Sequence, residues 1–423
     1  MLLGAIADDL TGATDLALML VRGGMRTVQV IGVPAPRDAL RLGDYDAVVV
    51  ALKSRTIAAG DAITQTLASA AVLREAGAHQ LFFKYCSTFD STDKGNIGPV
   101  AEALLDFLKA PIAIACPAFP ANARSVYMGH LFVGKELLSE SPMRNHPLTP
   151  MRDANLVRVL QRQCEGEVGL VAHEAVDAGP DAIRAALKAA MGNGKKLVIV
   201  DAICDRHLVD IGQAIEGMPL VTGGSGVAMG LPTNFLRAGQ LEPVPVPERM
   251  EAPEGRAVIL AGSCSQATRN QVAAALEAGL AAFEVDADKV IAGEQTGSAI
   301  AQWARDQDAS RPCLVYSSAD PAIVEGVQKR HGVEKAGAAV EAAMAECAAG
   351  LARSGFSRFV VAGGETSGAV VNALGVSALE IGPEIDPGVP WTRAIGGKPL
   401  VLALKSGNFG APDFFAKAWD RLS

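Results

Sequence analysis

The sequence predicts an α/β protein of two domains, each built on a mainly parallel sheet. Three observations point there. Short, continuous apolar runs recur along the chain, and each ends in a polar or glycine-rich turn that leads into an Ala-rich helical stretch, the signature of buried parallel strands joined by crossover helices. The chain has 44 Gly and only 5% aromatic residues, which suits many strand–turn–helix joints. At 423 residues it also exceeds one ordinary hydrophobic core. Between Leu236 and Arg256 the pattern breaks into Pro243, Pro245, Pro247 and Pro253, a semi-rigid connector. The expected division is residues 1–240, a linker over 241–256, and residues 257–423.

In the first domain, Leu2–Ala7 reads as a buried strand that ends in Asp8 and Asp9. Thr11–Gly12 then opens a helix that Gly23–Gly24 stops. In open α/β sheets ligands sit outside the carboxyl ends of the strands, and two adjacent acids there exceed what one helix cap needs. Strands are expected at Thr27–Gly32 and Asp46–Leu52, the second ending in Lys53-Ser54-Arg55-Thr56. An Ala-rich helix over 59–78 leads to a strand at Gln80–Tyr85. That strand runs into Lys84–Gly98, which carries Lys84, Lys94, Asp90, Asp93, Asn96 and the hydroxyls of Ser87, Thr88, Ser91 and Thr92. Such side chains grip a small polyhydroxy anion; the plainer alternative is a polar loop capping the next helix. Three strand ends thus bring Asp8, Asp9, Lys53, Arg55, Lys84, Asp90 and Ser91 to one sheet edge. Pro111–Pro117 is a further strand. Residues 127–155 show little periodicity and read as a long functional loop or lid, in which His146 is more readily structural than ligand-binding. Strands follow at 169–172, 196–202 and 220–222, the last ending in Gly223-Gly224-Ser225-Gly226.

The second domain restarts with a strand at Ala257–Ala261 running into Gly262-Ser263-Cys264-Ser265 and a helix from about 269 to 278. Strands are expected at 282–285, 313–317 and 358–362. The last of these ends in Gly363-Gly364-Glu365-Thr366. A final strand, Leu400–Leu404, ends in Lys405-Ser406-Gly407. Small-residue turns entering helices can cradle phosphates through backbone N–H groups. None matches the GxxxxGK[ST] or GxGxxG pattern, so neither a P-loop nor a standard dinucleotide fold is supported.

Composition excludes several classes. The net charge of −8 argues against a dedicated nucleic-acid surface. Seven cysteines with no CxxC pair argue against a disulfide framework or structural zinc site, and for a reducing cytoplasm. The first residues carry Asp8, Asp9 and Asp15 within the apolar run, unlike a signal peptide. No uncharged stretch is long enough to cross a bilayer. Oligomeric state is left open, with a homo-oligomer allowed.

Asp8-Asp9-Leu10-Thr11-Gly12-Ala13, the 84–98 segment, Gly262–Ser265, Gly363–Thr366 and Lys405–Gly410 together resemble the four-carbon acid sugar kinase family, in the right order and over nearly the whole chain. A narrower likeness, to members acting on 3-oxo acids, is carried by Lys84–Val100, Asn145–Met151 and Pro387–Trp391. Ala261 departs from the pattern, where the family carries Ser. The resemblance implies a sugar-acid-binding first domain, a nucleotide-binding second domain and an interdomain active-site cleft. It implies ATP-dependent phosphorylation of the 4-hydroxyl of 3-dehydrotetronate, with ATP and Mg²⁺ and no protein-built metal site. Ser263, Ser265, Gly363, Gly364, Glu365, Thr366 and Gly407 would then face ATP, and Asp8, Asp9, Lys53, Arg55, Lys84, Asp90 and Ser91 the sugar acid. Asp8 or Asp9 would orient or deprotonate the attacking hydroxyl. The alternatives are a D-threonate or D-erythronate kinase and a non-catalytic sugar-acid-binding protein.

Overall fold

A computed structural model describes residues 1–146 and 148–423, with side chains at all of these except 39, 40 and 321. Pro147, inside the Asn145–Met151 stretch, lies outside the described residues. The chain divides into two compact units, Met1–Pro245 and Val246–Ser423.

Among its described residues unit 1 has eleven strands: β1 (Leu3–Ala7), β2 (Thr27–Ile31), β3 (Ala47–Ala51), β4 (Gln80–Lys84), β5 (Ala113–Cys116), β6 (Arg124–Tyr127), β7 (His130–Val133), β8 (Glu136–Leu137), β9 (Glu167–Val171), β10 (Lys195–Val200) and β11 (Leu220–Gly223). Eight of them form a wholly parallel run in the order β2-β3-β1-β4-β11-β5-β10-β9. Every residue of β1, β3 and β4 is buried, as a sheet covered on both faces requires. Ala7 stands in register with Ala51 and with Lys84, so these three carboxyl ends finish side by side. Three helices that follow them, α1 (Leu10–Arg22), α2 (Ala59–Glu75) and α3 (Ile97–Leu108), begin at this edge. Helix α1 is buried from Leu10 to Leu20, so its first turn is a fixed wall rather than a mobile loop.

Residues 127–155 differ from the expected long loop. Strands β6, β7 and β8 form a small antiparallel sheet. A 3₁₀ turn over Pro142–Asn145 follows, capped by Ser141. The strands are too short to show alternation, and the β6–β7 turn places a non-glycine residue, Met128, at φ 50° beside Gly129 at φ 72°. His146 accepts from the Thr149 backbone N–H through Nδ1 at 3.1 Å, a turn-forming role.

Unit 2 has seven strands: β12 (Arg256–Ala261), β13 (Ala282–Glu284), β14 (Cys313–Tyr316), β15 (Phe356–Ala362), β16 (Ala378–Asp386), β17 (Val389–Ala394) and β18 (Val401–Lys405). Five run parallel in the order β13-β14-β12-β15-β18, and β17 and β16 extend the sheet antiparallel. The β16–β17 hairpin escapes the sequence pattern because Pro383 and Pro390 interrupt its strands; its turn uses Gly388 at φ 80°. Trp391, fully buried among Ile259, Val360, Val401, Phe414 and Phe415, anchors the core, and its indole N–H donates to the Ala418 carbonyl at 2.7 Å. Two helices matter below, α4 (Gln266–Glu277) and α5 (Gly364–Ala373). Among the described residues, no helix is long and apolar enough to cross a membrane.

Candidate functional site

In unit 1 the ends of β1, β3 and β4 build one charged cluster. Asp8 continues β1, its N–H bonding the Lys84 carbonyl at 3.0 Å, while its own carbonyl accepts from the Ser54 N–H at 3.0 Å. Asp9 is the N-cap of α1: its Oδ2 accepts from the Gly12 N–H at 3.2 Å and from the Thr11 hydroxyl at 2.8 Å. Capping occupies that oxygen and leaves Oδ1 facing the cations. Arg55 binds Asp8 through two parallel bonds, Nε–Oδ2 at 2.9 Å and Nη2–Oδ1 at 2.8 Å, and reaches Asp9 Oδ1 at 2.6 Å. Lys84, buried, stands 3.7 Å from the same Asp9 oxygen. Gly12 is required here, because a Cβ would fall 2.1 Å from Lys84 Nζ and 2.2 Å from Asp9 Oδ1.

The loop after β4 completes the cluster. Phe89 and Asp90 adopt consecutive left-handed conformations, φ 66° and 41°, which side chains other than glycine disfavour. The distortion turns the buried Asp90 toward Arg55, with Oδ2 3.7 Å from Nη1, and its Oδ1 accepts from Thr88 at 2.7 Å. Ser91 exchanges bonds with Gln163, whose amide also donates to the Thr92 carbonyl at 2.8 Å. Asn96, just before α3, donates to the Ser54 carbonyl at 2.7 Å and the Ile57 carbonyl at 3.0 Å, tying the β3 loop to the β4 loop.

Two neighbouring carboxylates share one guanidinium, and their environments separate them. Burial pushes the Asp8 carboxyl up, against the pull of Arg55 and with help from the Asp9 charge. Burial also raises Asp9, but Arg55, Lys84 and the bonds from Thr11 and Gly12 outweigh it and hold Asp9 below the usual carboxylate range. Asp9 is therefore the fixed anion, and Asp8 the group that takes a proton more readily. Burial, reinforced by Asp90, pushes the Cys86 thiol up to about 11, so it is no nucleophile at neutral pH.

In unit 2 three turns meet. Ala261, Ala362 and Lys405 end adjacent strands in register. The Gly262 and Ser263 N–H groups bond the Ala362 carbonyl at 3.0 and 3.2 Å, and the Gly363 N–H bonds the Lys405 carbonyl at 2.8 Å. Ser265 caps α4 by accepting from the Thr268 N–H, while its hydroxyl donates to the Gly407 carbonyl at 2.5 Å. Close approach favours glycine at two of these positions: a Cβ on Gly262 would lie 2.1 Å from Thr366 Oγ1, and one on Gly407 2.4 Å from Ser263 Oγ, so those hydroxyls would have to move. Helices α4 and α5 both begin here. A helix N-terminus, with its backbone N–H groups directed outward, suits phosphates.

Lys405 underlies this junction. It is fully buried, and its Nζ donates to Thr268 Oγ1 at 3.1 Å, the Ser406 carbonyl at 2.9 Å and the Gly407 carbonyl at 3.0 Å. Burial pushes this ammonium down to about 7, with Asp386 opposing.

Both units match known families. Residues 3–231 match the sugar-binding N-terminal domain family, and residues 258–415 match the nucleotide-binding C-terminal domain family. A 3-oxo-tetronate kinase of Pseudomonas savastanoi pv. phaseolicola is 54% identical over 422 residues, covering 100% of this chain and 97% of its own. One from Burkholderia multivorans is 55% identical, covering 99% and 96%. The chain belongs to the four-carbon acid sugar kinase family. Among solved structures, a Salmonella typhimurium LT2 protein, described as a candidate tRNA synthase, is 43% identical with a TM-score of 0.85, covering 98% of each chain. The Haemophilus influenzae protein HI1011 is 40% identical with a TM-score of 0.75, covering 99% of each.

The residues read from sequence by family likeness fall into two groups. Asp8, Asp9, Arg55, Lys84 and Asp90 are joined in one cluster. Lys53 is exposed one residue beyond Leu52, and Ser91 is turned to Gln163. In unit 2, Ser263, Ser265, Gly363, Thr366 and Gly407 share the junction, with Gly364 and Glu365 exposed on the first turn of α5. Ala261 lies in the apolar core, so the missing hydroxyl would face inward there. Sequence reasoning missed Gln163 and the burial of Lys405. The first carries no local signal. The second was visible only as a lysine at the end of an apolar run.

Proposed function

We propose that the chain is an ATP-dependent kinase that phosphorylates the 4-hydroxyl of a 3-oxo-tetronate, giving the 4-phosphate and ADP. The observation that carries this reading is identity of 54–55% along the whole chain with 3-oxo-tetronate kinases. The unit 1 cluster receives the sugar acid, and the unit 2 junction receives ATP. The C4 oxygen attacks the γ-phosphorus as the bond to the β–γ bridging oxygen breaks, and ADP carries away that electron pair. Phosphoryl transfer asks for positioning and charge neutralisation more than for covalent help. Asp8 and Asp9, held rigid by Arg55 and the α1 cap, are suited to orient the hydroxyl and to accept its proton. Lys84, and Lys53 at the rim, offer cations to the substrate and the transferring group. The N–H groups at the starts of α4 and α5 suit the ATP phosphates.

Among the described residues no group of three His, Cys, Asp or Glu side chains could hold a metal ion. Mg²⁺ is usually held by substrate phosphates, waters and one or two carboxylates. Glu365, exposed beside the Gly363–Gly364 turn, would be a carboxylate able to hold it. Bound there, the ion would neutralise phosphate charge. All seven cysteines are unpaired, which supports a cytoplasmic setting.

A coupled ADP-release assay across four-carbon acids tests the reading. Turnover is expected with 3-oxo-tetronate and Mg²⁺-ATP, well above that with threonate or erythronate. A preference for threonate or erythronate would move the chain within the family. No acid-dependent ADP release would leave a sugar-acid-binding protein instead.

A further inference from the structure

The unit 1 cluster carries more negative than positive charge. Asp8, Asp9 and Asp90 face Arg55 and Lys84, and Arg55 spends Nε and Nη2 on the two adjacent acids. A substrate that brings its own carboxylate needs a further cation, one whose donors are not already committed. Lys53 is exposed, and a solvated ammonium binds a carboxylate weakly. A further cation close to this edge is Arg124.

Arg124 opens β6, after the chain leaves β5 at the same carboxyl edge as β1, β3 and β4. Its Nε is buried and has no hydrogen-bond partner, and among the described residues no carboxylate forms an ion pair with it. The one side-chain bond it makes runs from Nη1 to the Asn122 carbonyl in its own turn. Burial lowers its basicity, while the charges of Cys86 and Asp90 on the loop after β4 act in the opposite direction. A half-buried guanidinium whose inner nitrogen has no partner, and which has no counter-ion, gains from a ligand that supplies the anion.

The backbone beneath it is held on several sides. Phe119 and Arg124 exchange backbone bonds at 2.8 and 3.1 Å, and Ala123 is forced to φ 58°. Val126 exchanges bonds with Ala202 at 2.9 and 3.0 Å. Asp201, fully buried at the end of β10, clamps the β6–β7 turn by accepting from the N–H groups of Met128 at 2.6 Å and Gly129 at 2.9 Å. A side chain on so fixed a support is preorganised.

We infer that Arg124 is the residue that receives the carboxylate of the sugar acid, and so selects acids over neutral sugars of the same length. The inference rests on the kinase reading for the identity of the acid. A guanidinium offers two parallel donors to a carboxylate, which a lysine cannot reproduce.

The test is calorimetric binding of 3-oxo-tetronate to the full chain and to the Arg124→Met and Arg124→Lys variants. Binding of Mg²⁺-ATP and the melting temperature serve as controls. Arg124→Met should weaken acid binding at least 100-fold and Arg124→Lys about tenfold, the loss expected for one charged, bidentate contact. Mg²⁺-ATP affinity should stay within twofold in both. The neutral ketose, with a hydroxymethyl group in place of the carboxylate, should bind wild type and Arg124→Met alike. Unchanged acid affinity in Arg124→Met overturns the inference. So does a parallel loss of acid, ketose and nucleotide binding with a lowered melting temperature, which would mark a structural residue. If the wild type binds the acid but releases no ADP, the kinase reading fails by itself, and the affinity series still decides Arg124.

Discussion

Lys405 offers a test that separates charge burial from every other contribution. Its ammonium has three N–H donors and meets three acceptors, yet among the described residues no carboxylate touches it. Burial brings it down to about 7 from an ordinary 10.5. Between those values the unfolded chain holds a proton that the folded chain has released. Stability from this group therefore rises with pH across that window, and the full cost of burying the charge is felt below pH 7. At about 1.4 kcal/mol per pH unit, the gain between pH 6 and pH 9 is roughly 3 kcal/mol. Lys405→Met removes the titration and leaves a constant offset from the unpaired Thr268 hydroxyl and the carbonyls. The readout is thus the slope of the stability difference between wild type and variant. All three tryptophans, Trp303, Trp391 and Trp419, lie in unit 2. Urea unfolding followed by tryptophan fluorescence therefore reports this unit alone. A difference that stays flat within about 0.5 kcal/mol from pH 6 to pH 9 would refute the reasoning, because it would mean the ammonium keeps an ordinary proton affinity when buried.

Three further outcomes follow from the geometry. Gly407→Ala puts a Cβ 2.4 Å from Ser263 Oγ, so Mg²⁺-ATP binding should weaken at least tenfold by calorimetry while acid binding stays within twofold, as a steric change confined to the unit 2 junction requires. Arg55→Met strands the buried Asp8 and leaves Asp9 with Lys84 alone; a loss of about 3–5 kcal/mol is expected, read by hydrogen exchange in peptides from residues 1–245, and native-like protection there would count against the cluster's structural part. Asp9→Asn should cut turnover more than tenfold at saturating substrates, and a smaller loss would remove Asp9 as the group that orients the attacking hydroxyl.

Much of the site could be read from strand ends. Asp8 and Asp9 stand out because a continuous apolar run stops on two acids, and Lys84 because it closes another such run. What the chain order conceals is how donors are allocated. Arg55 looks like a free cation in Lys53-Ser54-Arg55-Thr56, but the register that sets Ala7 beside Ala51 delivers it to the two acids at β1's end. Arg124 was invisible for the opposite reason. Its strand is only four residues long, and the turn that follows depends on Asp201, distant in sequence, to hold Met128 and Gly129. Long parallel strands announce themselves by composition, whereas short antiparallel ones held by remote side chains do not.

The helix-cap and catalytic readings of Asp9 also cease to compete. Capping uses Oδ2, and the cap fixes Oδ1 against Arg55 and Lys84. The carboxylate is thereby held ionised and rotationally locked, which makes it a poor proton acceptor but a good orienting group. Asp8, pushed the other way by burial, is the better acceptor and is the more deeply enclosed of the two. Because loose phosphoryl transfer gains little from early deprotonation, locking the nucleophile is worth more than strengthening a base. A pair split in this way serves both needs with two adjacent residues at the end of one strand.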